Sequence, residues 1–165
     1  MNRHIRLGIN IDHVATLRNA RGGDTPKVIE AAKVVEESGA DLITVHVRED
    51  RRHINEKDLG NILDTVNIPV NLEIAANSEM IDIAINYHPK FVCFVPENRK
   101  EITTEGGLDV INNFKELSKV LKSITDTEIN VSHEFKSNEI FKASDMMVDA
   151  LTKLLDKERN KRKAS

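Results

Sequence analysis

Tryptophan is absent, cysteine occurs once, and aromatic residues make up only 4% of the chain. Any core must therefore be aliphatic, and a lone cysteine cannot build an internal disulfide framework. That cysteine, Cys93, lies in the apolar run Phe91–Val95 and reads as a buried, reduced thiol of a cytoplasmic protein. Long apolar runs are also missing: no stretch approaches the roughly 20 residues needed to span a bilayer. The opening MNRHIRLGIN carries two Arg but no apolar segment of the kind a signal peptide needs. A basic excess is missing as well. The formal net charge of −3 argues against general affinity for nucleic acid. What remains is a chain of 165 residues, one domain by length.

Strand and helix patterns alternate along it. Ile5–Ile11 reads as a first strand, and Thr25 with Pro26 reads as the start of a helix carrying Val28, Ile29, Ala32 and Val35 on one face. Gly39 is its stop signal. Asp41–Val47 is a second strand, and Asn55 caps a helix striped by Leu59, Ile62, Leu63 and Val66. Pro69–Ala75 is a third strand, followed by a helix capped by Asn77 with Met80, Ile83, Ala84 and Tyr87 in line. Phe91–Pro96 is a fourth strand, apolar on both faces as a central parallel strand tends to be. A polar loop over Glu97–Asp109 leads to a helix marked by Phe114, Leu117, Leu121 and Ile124. Glu128–Ser132 is a weaker fifth strand, and a last helix is expected from about Asn138 to Lys157 before a basic tail. Five βα units predict an α/β protein with a parallel sheet and right-handed crossovers, either open or bent toward a barrel.

Side-chain parity points to the chemistry. In a strand alternate residues share a face, so Ile43, Val45 and Val47 oppose Thr44, His46 and Arg48. The first strand sets Asn10 and Asp12 on one face, and the third sets Asn71 and Glu73 on one face. Each polar set lies near a carboxyl end, where ligands bind in α/β sheets. Taken singly, His46 is an ordinary structural histidine, Arg48–Arg52 a solvated loop, Glu73 an ion-pair partner for Arg48, and Gly106–Gly107 a turn. Buried without partners, such groups cost ~1–3 kcal/mol apiece, and three consecutive strands with the same pattern suggest a shared polar mouth. Histidines, arginines and carboxylates together suit an anionic substrate and proton transfers near neutral pH.

The stretches GINIDHVATLRNARG (residues 8–22), ITVHVREDRRHI (43–54), VNLEIA (70–75) and FVPENRKEITTEGGLDV (94–110) closely resemble pyridoxine 5′-phosphate synthase. The resemblance implies a TIM barrel of vitamin B6 biosynthesis that assembles as an oligomer and condenses 1-deoxyxylulose 5-phosphate with 3-amino-2-oxopropyl phosphate. It implies that His46 and Glu73 are proton-accepting catalytic residues. It also implies that Asn10 contacts the amino-ketone phosphate, that Asp12 and His13 contact the pentulose phosphate, and that Arg21, Arg48, His53 and Thr103 bind substrate. No metal or cofactor is expected.

The resemblance stops after Ser132, so residues 1–132 are expected to form a partial barrel of about five βα units. Residues 133–165 are expected to form a divergent helix and basic tail. The family's later Glu, second catalytic His and glycine-rich phosphate site have no counterpart in that segment. Three functions stay open: the synthase itself in shortened form, an inactive relative that binds phosphorylated metabolites, and an interaction protein recruiting a partner through open sheet edges. Those edges also lead us to expect a homo-oligomer.

Overall fold

The computed structural model describes residues 6–97, 108–109, 113–124 and 127–133. In chain order the elements are β1 (Gly8–Asn10), α1 (Asp12–Arg21), α2 (Val28–Glu37), β2 (Leu42–His46) and α3 (Glu56–Thr65), then β3 (Val70–Ile74), α4 (Ser78–Tyr87), β4 (Phe91–Phe94), α5 (Phe114–Ile124) and β5 (Asn130–His133). The strands form one parallel sheet in the order β1-β2-β3-β4-β5. Each strand pairs with its neighbour in sequence, which is the pairing of a TIM-type barrel, but the sheet is not closed among the described residues. Expected helix Asn138–Lys157, the basic tail, Thr103 and Gly106–Gly107 lie outside the described residues.

The two-residue period sorts the sheet as the sequence implies. Ile43, Val45, Val70, Leu72, Ile74, Val92 and Phe94 are buried in one apolar cluster with Leu59, Ile62, Met80 and Ala84 from the helices. The register sets Thr44 level with Asn71 and His46 level with Glu73, so the polar set occupies the opposite face. Cys93, level with Glu73, is buried and in no disulfide.

Local chemistry explains the helix starts. Asn55 accepts a hydrogen bond from the Asp58 N–H (2.9 Å) while the Asp58 carboxylate accepts from the Asn55 N–H (3.2 Å), a reciprocal capping box. Asn77 accepts from the Met80 N–H in the same way (3.0 Å). Gly39, just past α2, adopts φ +84, a left-handed turn that favours glycine.

Three expectations need correction. The first strand is shorter than Ile5–Ile11, and the chain turns at once into α1, a helix not foreseen. Only Asp12 and Ala15 of α1 are buried, so it lacks the apolar stripe by which amphipathic helices are recognised. Thr25 does not cap α2: the Thr25–Pro26 peptide is cis, and α2 begins at Val28 after an extended Lys27 with no side-chain cap. The fifth strand lies two residues later than Glu128 at its start and ends at His133.

Candidate active site

The carboxyl ends of β1 to β4 bring the polar residues together. Asn10 and Asp12 flank the β1–α1 junction and bond reciprocally: Asn10 Nδ2 donates to Asp12 Oδ2 (2.8 Å) and the Asp12 N–H donates to Asn10 Oδ1 (2.9 Å). The remaining Asp12 oxygen, Oδ1, accepts from the His46 N–H at 2.7 Å. Asp12 therefore pins the end of β1 to the end of β2, and its place in the first turn of α1 suits a negative charge.

His46 is 4% exposed and lies between two carboxylates. Its Nδ1 is 4.0 Å from Glu73 Oε2, and its Nε2 is 2.9 Å from Glu97 Oε1. Glu97 lies three residues past the end of β4 and reaches over β3 to meet β2. Its other oxygen, Oε2, accepts from the Glu49 N–H at 3.1 Å. Burial alone would raise the Glu97 carboxyl, but the hydrogen bonds from His46 and the Glu49 N–H, with the charges of His46 and Arg48, outweigh it and hold Glu97 below the usual carboxylate range.

Arg48 is 1% exposed, with Nε 3.8 Å from Asp50 Oδ1. The following loop is solvent-facing at Asp50 and Arg52 yet fastened by ion pairs. Arg51, at φ 52, donates to the Arg48 and Glu49 carbonyls and to Glu56 and Glu79. Arg52 pairs with Asp50, and Asn77 Nδ2 donates to Glu49 Oε1 at 2.6 Å.

His53 is buried, with Nδ1 2.6 Å from Thr16 Oγ1 and its ring edge-on to His13 at 5.8 Å. His13 itself is exposed. Burial lowers the His53 pKa from its ordinary value, and Arg48, His13 and His46 add to this against the opposing pull of Asp12. The unfolded chain thus binds a proton more readily than the folded one, so this contribution to stability is present above about pH 6.5 and is lost on acidification below it. His53→Asn keeps a polar group for Thr16 and removes the titration. The variant is expected to lose less melting temperature than the parent between about pH 7 and pH 5, as followed by circular dichroism, and parallel losses would remove His53 from the account.

Arg21 is not drawn into this cluster. It is exposed in the last turn of α1, about 14 Å along the helix axis from Asp12. Glu97, by contrast, joins the cluster through His46, although its sequence context suggests only the start of a polar loop. The available signal was its position three residues past the β4 carboxyl end. Asp12, His46 and Glu73 offer ligand-type atoms within 4.8 Å of one another. Both Asp12 oxygens and His46 Nε2 already hold hydrogen bonds, so the cluster fits proton handling better than cation binding. No described helix is long and apolar enough to cross a membrane.

A parallel α/β sheet whose strand carboxyl ends gather a histidine, carboxylates and a buried arginine defines a protein of partial TIM-barrel type. A family model described as "Pyridoxal phosphate biosynthesis protein PdxJ" matches residues 7–151, and the chain belongs to that family. The match runs past Ser132. The pyridoxine 5′-phosphate synthase of Rhodospirillum rubrum is 51% identical over 132 residues, covering 80% of this chain and 53% of the relative. The synthase of Photobacterium profundum is 52% identical over 129 residues (78% and 53%). That of Blochmanniella pennsylvanica is 50% identical over 136 residues (82% and 56%). The chain spans about half the length of these relatives.

Proposed function

We propose that this chain carries the proton-accepting side and one phosphate-binding position of a pyridoxine 5′-phosphate synthase-like site. The substrates would be 1-deoxyxylulose 5-phosphate and 3-amino-2-oxopropyl phosphate. The observation that supports this most is His46 set between Glu73 and Glu97 beside the buried Arg48. Imine formation and repeated dehydration need bases that cycle through protonation, and His and Glu suit that work. A guanidinium binds a phosphate through parallel hydrogen bonds. In this reading Asn10, Asp12, His13 and His53 lie around the bound phosphates; the resemblance assigns substrate contacts to Arg21 and Thr103 as well, but Arg21 is exposed at the far end of α1. With its pKa lowered, His53 would meet a ligand as a neutral imidazole rather than as a fixed cation.

Calorimetry with each phosphorylated ketone tests the reading. Weak binding is expected, with Kd about 1 mM (~4 kcal/mol), because among the described residues Arg48 is the one buried arginine at the mouth. No heat from either compound at tenfold higher concentration would sink it. A second reading, an inactive relative that retains binding, is supported by a sheet that stays open among the described residues. We also propose that the chain is cytoplasmic, that a helix over about Asn138–Lys157 and a basic tail follow β5, and that copies self-associate through the sheet edges. A single monomeric species in sedimentation equilibrium at high concentration would refute the last point.

A further inference from the structure

We propose that Glu97 is a positioning residue for His46: it holds the neutral imidazole in the Nε2-protonated tautomer, which makes Nδ1, the nitrogen facing Glu73, the one that exchanges protons. The tautomer follows from the hydrogen bond. An ionised carboxylate only accepts, and Glu97 Oε1 lies 2.9 Å from Nε2, so Nε2 must carry the hydrogen. Which imidazole nitrogen is basic is set by the bond the other one makes.

The surroundings agree from every side. Glu97 is itself fixed, because its second oxygen accepts from the Glu49 N–H and its side chain is 6% exposed. Its charged form is favoured despite burial, through His46, the Glu49 N–H and Arg48. Asp12 addresses the His46 backbone N–H rather than the ring. The electrostatic reach of Arg48 and His53 extends to this cluster. Glu73 Oε2 lies 4.0 Å from Nδ1, beyond hydrogen-bond distance, so the Glu73 carboxylate does not fix the Nδ1 side of the ring as Glu97 fixes Nε2.

The tautomer rests on geometry alone, and only the identity of the exchanged proton rests on the proposed function. The test uses the whole 165-residue chain labelled with nitrogen-15, with histidine ring correlations recorded at alkaline pH and His46 assigned by its loss in His46→Gln. We expect a protonated Nε2, a bare Nδ1, and an Nε2–H signal slow enough in exchange to be observed. In Glu97→Ala that signal should be lost to exchange, while Glu97→Asp should restore it in part. A protonated Nδ1 in the parent protein overturns the proposal, as does an undiminished Nε2–H signal in Glu97→Ala. The parent spectrum decides the tautomer even where the alanine variant does not fold. No substrate is involved, so a calorimetric failure would count against the functional reading and leave the role of Glu97 standing.

Discussion

Replacing Arg48 with Met is expected to lower the unfolding free energy by about 3–5 kcal/mol and to abolish binding of phosphorylated ketones. Folding stabilities of domains run to about 5–15 kcal/mol, so the variant should unfold at markedly lower denaturant. The size follows from position. Arg48 is 1% exposed, and a buried cation is costly unless carboxylates surround it. Asp50 is held below the usual carboxylate range chiefly by its hydrogen bonds from Arg52, and Arg48 adds to that. Arg48 also helps keep Glu97 ionised. Methionine fills similar volume, so the loss would report charge rather than a cavity. A urea titration giving a loss below about 1 kcal/mol would show that Arg48 behaves as a surface charge, and ketone binding unchanged in the variant would remove it from the phosphate position.

Arg48 also marks where sequence reasoning reaches and where it stops. Its face was legible, because the branched residues Ile43, Val45 and Val47 define the opposite parity and all three are fully buried. Its burial was not, because that depends on Arg51 and Glu49 fastening the loop to α3 and α4. The caps at Asn55 and Asn77 were legible for a local reason: donor and acceptor are three residues apart. Thr25 failed because Lys27, not Thr25, precedes the first helical residue. α1 failed because it is held by a tertiary bond from Asp12 to His46 rather than by a stripe. Glu97 escaped notice because its partner is 51 residues away and on a strand that is not adjacent to β4. Neither periodicity nor spacing carries a contact of that kind.

The largest expected effect is on turnover. Mixed with both phosphorylated ketones, the 165-residue chain is expected to form pyridoxine 5′-phosphate at least about 10²-fold more slowly than the ~10 s⁻¹ of a median enzyme. A single positioned acid or base contributes about 10²–10⁴-fold. The described mouth supplies acceptors in His46 and Glu73, with Glu97 already committed to the His46 ring. The second catalytic histidine and glycine-rich phosphate site that the resemblance implies have no matching segment in residues 133–165. Two anionic substrates also need two sets of fixed cations, or their like charges oppose each other at close range. Among the described residues Arg51 and Arg52 pair with Glu56, Glu79 and Asp50, and in the proposed reading the buried Arg48, itself 3.8 Å from Asp50, serves one phosphate. Product absorbance after mixing purified protein with both substrates is the measurement. A rate near ~10 s⁻¹ that disappears in His46→Ala would show that the chain, alone or as an assembly of its copies, completes the site with groups not yet identified.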